Sequence, residues 1–415
     1  MPVLKNISLL ACCRLEGRQR DIHAIERAAL VWDEGKIVWV GVEEEQPERF
    51  VEWPGLDAGG RLVIPGLIDC HTHLAFGGWR AGEFEQRIGG KGYLEIARQG
   101  GGILSTVRAT RQLSEEALLE RSLKFLREIG QLGVTTVECK SGYGLDTENE
   151  MKLLRVYRQL ADLQPLRIIP TFLGAHVLAP EYRDRRESYL ELLIQEMIPQ
   201  VGAQGLASFC DVFLEESAFS WEESKRILEA GQRHGLRPKL HADQLSDGGG
   251  AELAAQLEAA SADHLECISD SGIQRMADSG VVAVSLPFAS IYLNQQHMPA
   301  RRLIEAGVRV AVATDFNPGS APSYDLPLAL MLACNLQRMT PAEALKGATI
   351  HAACALGLED GTGSLEPGKS ADFAILDAPD VNHWMYHFRP NCCVGTFIGG
   401  KQLFSVPSVS LWQEK

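Results

Sequence analysis

Residues 67–73 read LIDCHTH, an apolar run that ends in two histidines one residue apart and gives way to the glycine-rich LAFGGWRAGE (74–83). Seven more short runs rich in β-branched residues follow at helix-length intervals. They are GVTTVECK (133–140), LRIIPTFLGAH (166–176), FCDVFLEE (209–216), RPKLHAD (237–243), SADHLE (261–266), VVAVSLPF (281–288) and VRVAVATDF (308–316). Near-continuous apolar strands separated by helical segments imply parallel pairing with crossover helices. Eight such units predict a closed (β/α)8 barrel, an α/β fold, over residues 62–361.

The helices between the strands announce their ends. Ser220-Trp221-Glu222-Glu223 and Thr340-Pro341-Ala342-Glu343 fit the capping box, the second with proline at the first helical position. From Thr340 one helix is expected to run through ALKGATIHAACAL and stop at Gly357. In 113–130, Leu118, Leu123, Leu126 and Ile129 mark one apolar stripe. The two ends of the chain read differently. ALVWDEGKIVWVG (29–41) is a hairpin pattern, GSLEPGKSADFAILD (363–377) places a turn before a strand, and 393–405 offers a strand pair around Gly399-Gly400. Neither end is long enough to stand alone, so residues 1–61 and 362–415 are expected to build one small composite β-sandwich beside the barrel.

The chain has 415 residues, 54 acidic and 40 basic, for a formal net charge of −14. That balance argues against a nucleic-acid or anionic-membrane surface, because both need clustered Lys and Arg. No segment reaches the ~18 uninterrupted apolar residues of a spanning helix. Ten cysteines without a Cys-x-x-Cys pair, and no secretory start, fit a reduced cytoplasmic protein. The partner such a chain implies is a small molecule, and an exposed helical face leaves room for a homodimer.

On a strand, residues i and i+2 share a face, so Asp69, His71 and His73 are expected to point one way, and Cys70 the other. A lone His-x-His pair is weak. Position strengthens it: His176, His241 and His264 also end predicted strands, and Asp315 closes the eighth. A carboxylate there is costly unpaired but is an asset beside a cation. His234, His297, His351, His383 and His387 fall on helices or loops and read as structural or solvated. Three imidazoles and a carboxylate, His71, His73, His241 and Asp315, suit zinc or iron with a position left for water, whose pKa the metal lowers towards ~7. His264 then serves at the rim as general base or oxyanion partner, with Asp315 as the other catalytic group.

PGLIDCHTH, KLHADQ, ADHLE, ATDFNPG and the terminal GSLEPGKSADFAILD together resemble the amidohydrolase superfamily along the whole chain. DCHTHLAFGGWRAGEF, GGGILSTVRATR, ECKSGYGLD, TFLGAH and DFNPGS are more specific and resemble the substrate loops of its imidazolonepropionase family. The resemblance implies one divalent or trivalent ion per subunit, Zn or Fe, and hydrolytic opening of an imidazolone ring bearing a propionate tail. It implies Arg80 for the tail, with Tyr143, His176, Asn317, Gly319 and Ser320 as further substrate contacts. Deaminases of the superfamily carry His-Ala-Asp-Glu where this chain has His241-Ala242-Asp243-Gln244. An amide cannot shuttle a proton at neutral pH, so Gln244 becomes a substrate anchor and the aminohydrolase reading weakens. A barrel that has lost its chemistry and serves only in assembly is the other rival; it would typically have lost ligands, and all four remain. The glycine-rich stretch 77–103 suggests a lid that closes over substrate.

Overall fold

The structure is a computed structural model that describes residues 2–91, 95 and 100–406. Four strands open the chain: β1 (Val3–Ala11), β2 (Ala24–Asp33), β3 (Lys36–Val42) and β4 (Gly55–Pro65). Eight more follow: β5 (Leu67–Asp69), β6 (Val134–Lys140), β7 (Arg167–Ala175), β8 (Phe209–Leu214), β9 (Arg237–Ala242), β10 (Ser261–His264), β11 (Val282–Ser285) and β12 (Val310–Val312). Then come β13 (Phe373–Leu376), β14 (Cys393–Ile398) and β15 (Lys401–Ser405).

Among the described residues, β5 to β12 form one eight-stranded parallel sheet in sequence order, each strand under one of the expected runs. Closure comes just beyond the strand ends. The Asp315 N–H donates to the His71 carbonyl (3.0 Å), and the His73 N–H donates to the Phe316 carbonyl (2.8 Å). The seam that turns the sheet into a barrel therefore runs through three of the expected ligands. Both capping boxes form, at Ser220/Glu223 and Thr340/Glu343. The helix expected to run unbroken from Thr340 to Gly357 is two helices, Pro341–Gly347 and Ile350–Leu356. The break leaves the Ala348 carbonyl to accept the Ile68 N–H at 2.8 Å, a tie between helix and first barrel strand that a continuous helix would forbid. Gly357, at φ 65°, caps the second helix as expected.

The termini meet in a single seven-stranded sheet, order β15-β14-β13-β4-β1-β2-β3 among the described residues. All its pairs are antiparallel except β1 with β4. Trp32 on β2 and Phe373 on β13 have two strands between them, about 14 Å on a flat sheet. Their ring centroids are nonetheless 5.3 Å apart. The sheet is folded onto itself around Trp32, Phe373, Phe397, Leu4 and Leu30, so the sandwich is made of one continuous sheet. β4 runs through to Pro65, past residue 61, and carries the chain directly into β5. Residues 407–415 of the expected terminal unit lie outside the described residues.

Candidate active site and metal centre

His71 and His73 sit just past β5, His241 near the end of β9, His264 at the end of β10 and Asp315 just past β12. The ring centroids of His71, His73 and His241 lie 4.6–5.5 Å from one another. His264 lies 5.8 Å from His71 and 5.4 Å from His241. Asp315 places Oδ1 at 3.4 Å from Nε2 of both His71 and His73, and Nε2 of His241 faces Nε2 of His73 at 3.5 Å. All five residues are at most 3% exposed. Nε2 of His71 is buried with no hydrogen-bond partner. Imidazole nitrogens turned on one another and on a carboxylate, away from solvent, suit a cation, and this donor set fits zinc or iron. Within 4.8 Å, donor atoms group as His71, His73 and Asp315, and also as His71, His241 and His264. His264 thus joins the candidate groups on the same footing as the four expected ligands. Backbone strain accompanies the site: His264 (φ 81°) and Asp315 (φ 55°) both take the left-handed region.

Asp69 does not join this cluster. β5 ends at Asp69, and its carboxylate takes the Thr314 N–H (3.0 Å) and hydroxyl (2.6 Å). Cys70 is buried and belongs to none of the candidate metal-holding groups among the described residues.

Beneath the histidines lies a layer of charge that pattern reading missed. His71 Nδ1 meets Asp263 Oδ2 at 2.6 Å, and His241 Nδ1 meets Asp211 Oδ2 at 3.1 Å. Each carboxylate holds one ring nitrogen, so each Nε2 is aimed at the centre. Lys140 Nζ in turn reaches Glu138 (2.8 Å), Asp211 (2.7 Å) and Asp263 (3.4 Å), all fully buried. Lys239 stands 3.9 Å from Glu138 and 4.0 Å from Asp263. Burial alone would push the Asp211 carboxyl up, but Lys140 and His241 hold it well below the usual carboxylate range. Lys239, Lys140 and His71 do the same for Asp263, again against burial. Burial and Lys140 press His71 towards neutrality; Asp263 and Asp315 outweigh them and lift it to about 9. A bound cation competes with that proton. His241 goes the other way, to about 3, because burial outweighs Asp211. The signal was present in the sequence: Glu138/Lys140, Asp211 and Lys239 put charges at alternate positions of otherwise apolar strands.

The expected substrate contacts gather around this centre. His176 stacks on His73, centroids 5.1 Å apart at 16°, and Tyr143 lies 5.7 Å from His73 and 5.5 Å from His176. Burial and the neighbouring His73 and His241 keep His176 neutral, and its Nδ1 lies 3.1 Å from the Gly142 carbonyl. The Tyr143 turn is bolted down by buried Glu150, which accepts the N–H groups of Gly142, Gly144 and Leu145. Arg80, half-buried, is held by Glu83 at 3.3 Å. A methyl on Gly319 would sit 1.9 Å from Arg80 Nη2, so the guanidinium packs against the bare Cα of Gly319 and would have to shift for any larger residue there. Asn317 spends its side chain on its own loop. It donates to the Asp315 carbonyl and Ser320 Oγ and accepts from the N–H groups of Gly319 and Ser320. Gln244, 9% exposed, makes no side-chain hydrogen bond to the described residues. In the expected lid, residues 92–94 and 96–99 lie outside the described residues. The remainder includes the helix Ala81–Ile88, and Glu83 accepts the Gly102 N–H at 2.8 Å.

A model of the amidohydrolase family matches residues 219–403. The chain is 49% identical over 388 residues to an imidazolonepropionase of Geobacillus thermodenitrificans, covering 92% of each chain. One from Fusobacterium nucleatum is 45% identical, with 97% of this chain and 98% of the relative covered. Among solved structures, E. coli guanine deaminase superposes with a TM-score of 0.73 at 17% identity, covering 98% of this chain and all of the other. The 5-methylcytosine deaminase of Klebsiella pneumoniae, at 0.73 and 17%, covers 98% of this chain and 99% of its own. At such identities the deaminases share the fold alone. Likeness to the curated relatives, by contrast, runs through barrel and terminal sheet alike, and the chain belongs to the imidazolonepropionase family of amidohydrolases.

Proposed function

We propose that this chain hydrolyses the cyclic amide of 4-imidazolone-5-propanoate to N-formimidoyl-L-glutamate, using one zinc or iron ion held by His71, His73, His241 and Asp315. The observation that carries the reading is the 49% identity to a curated imidazolonepropionase over 92% of both chains. When bound, such an ion polarises the ring carbonyl and ionises a water molecule at neutral pH.

The chain's own groups position the ring and move its protons. Arg80, already braced by Glu83 and Gly319, donates to the propionate carboxylate. With its Nδ1–H given to Gly142, neutral His176 keeps a lone pair on Nε2 to accept a ring N–H. Gln244 offers a free amide to the ring, and the Asn317 turn holds Gly319 and Ser320 beside Arg80. His264 donates to the ring carbonyl oxygen as negative charge grows there. Asp315 takes a proton from water on a carboxylate oxygen and passes it to the ring nitrogen as the C–N bond breaks. The carbonyl carbon leaves as the new carboxylate and the nitrogen stays on the formimidoyl group. All ten cysteines are free, which suits the reducing cytoplasm where we place the chain.

The test is product release from 4-imidazolone-5-propanoate, set beside guanine and cytosine. Turnover of the imidazolone alone is expected. Arg80→Ala should lower kcat/KM about 10- to 100-fold, the loss of a charge-assisted contact. Turnover of a free base in place of the imidazolone would overturn the reading.

A further inference from the structure

At the opposite end of the barrel from the histidines, a cavity of about 720 Å³ opens between the loop after β1 and the segment leading into β12. Its lining includes Arg18, Arg20, Arg301, Arg309, Glu305 and His351. Arg301 is taken, paired with Glu343 through two nitrogens at 3.1 and 2.5 Å. Among the described residues no ion pair involves Arg18, Arg20, Arg309 or Glu305; Arg309 donates one N–H to the Gly280 carbonyl at 3.2 Å, and the lining sets three guanidinium groups outside any ion pair against one such carboxylate. In a chain of net charge −14 that is a local excess of positive charge. His351, 4% exposed, lines the same cavity, and its Nδ1 is buried without a hydrogen-bond partner. A buried polar atom left unpaired asks for a ligand group or a water.

The loop is built rather than draped. Lys346 Nζ donates to the carbonyls of Glu16 (3.0 Å), Arg18 (3.1 Å) and Asp21 (3.1 Å). The Arg18 N–H donates to the Asp21 carboxylate at 2.7 Å. Gln19 pairs its amide with β12, accepting the Val310 N–H (3.0 Å) and donating to the Val310 carbonyl (2.8 Å). These bonds fix the backbone that carries Arg18 and Arg20, which lowers the ordering cost of a ligand between them and Arg309.

We propose that this cavity is a second binding site, for a small dicarboxylate clamped by Arg18, Arg20 and Arg309 with a further polar contact at His351. Planar guanidinium forks match carboxylates, and the volume lies in the ~300–1,000 Å³ range of small-molecule pockets, well above what one inorganic anion fills. The site is separate from Arg80 and independent of the reaction proposed above.

Glutarate is the probe, with inorganic phosphate beside it, titrated calorimetrically into the full chain. Because Arg80 can itself take a carboxylate, the titration is repeated in Arg80→Ala. Glutarate binding that survives Arg80→Ala, falls at least 10-fold in Arg18→Ala/Arg20→Ala and exceeds phosphate binding is the expected result. The double variant, on an exposed loop, should keep its kcat. His351→Phe should weaken binding several-fold. Three outcomes overturn the proposal: no glutarate binding in Arg80→Ala, binding unchanged in Arg18→Ala/Arg20→Ala, or phosphate bound as tightly as glutarate. If His351→Phe fails to fold, the arginine pair alone decides.

Discussion

At the strand ends, His71, His73, His241 and Asp315 turn nitrogen and oxygen atoms towards one another, with Nε2 of His71 unpaired. Beneath them within the barrel, Glu138, Lys140, Asp211, Lys239 and Asp263 spend their charges on each other. The first layer is open and can take a ligand. The second is closed in that it is paired within itself, save Oε2 of Glu138, which is buried without a partner, and it holds the first in shape. Two ammonium groups against three carboxylates leave the closed layer one negative charge in excess, directly under the centre that would carry a cation. A cation is thus favoured from below as well as by its ligands.

If the layers divide the work in this way, the largest loss must come from the open one. Asp315→Asn removes both a ligand charge and a proton carrier, and turnover should fall on the order of 10⁴. Metal content, measured by elemental analysis after gel filtration, should fall with it. An Asp315→Asn enzyme that keeps full metal and turns over normally would dissolve the distinction. His264→Ala comes next. Turnover should drop by about 10²–10³ while bound metal stays near one per chain, since His71, His73, His241 and Asp315 remain. Loss of metal in that variant would make His264 a ligand, which its grouping with His71 and His241 allows geometrically.

The closed layer should answer differently. Lys140→Met leaves Lys239, 3.9 Å from Glu138 and 4.0 Å from Asp263, as the one ammonium group beside the three carboxylates, with Asp211 keeping His241 and Asp263 keeping His71. Metal affinity should weaken about 10- to 100-fold. Unfolding stability should fall by about 3–5 kcal/mol, the cost of breaking a buried pair. Adding Glu138→Gln takes away one negative charge and should restore part of the stability. If the double variant is worse than Lys140→Met alone, Lys140 acts by packing and the charge argument fails. Competition with a chromogenic chelator reads the affinity without recourse to turnover.

Legibility in the sequence divides along the same line. A histidine at the end of an apolar run is conspicuous, so the open layer and all eight barrel strands could be read from position alone. Lys140 and Asp211 are common residue types, and only their alternation within apolar strands marks them as inward-facing. The broken helix at Ala348 was illegible for another reason. Its cause is a hydrogen bond to Ile68, 280 positions away, and no local propensity encodes it. Asn317 shows a third limit. Resemblance marks it as a substrate contact, while the bonds its amide makes within its own loop, which hold Gly319 beside Arg80, belong to the folded turn and are not encoded by residue type alone.

The finest test separates charge from hydrogen bonding inside the closed layer. Thr171, fully buried on β7, donates its hydroxyl to Glu138, the same carboxylate oxygen that Lys140 holds. Thr171→Val removes that neutral donor with little change of shape and leaves every formal charge in place. Stability should fall by about 1–2 kcal/mol, the usual cost of a lost buried hydrogen bond. Metal affinity should stay within about 3-fold of the parent, because the charges beneath the ligands are untouched. A loss of affinity as large as that of Lys140→Met would mean that the layer works through the geometry of Glu138 rather than through its charge. The carboxylates under His71 and His241 would then be scaffolding for one another, with no electrostatic pull on the ion above.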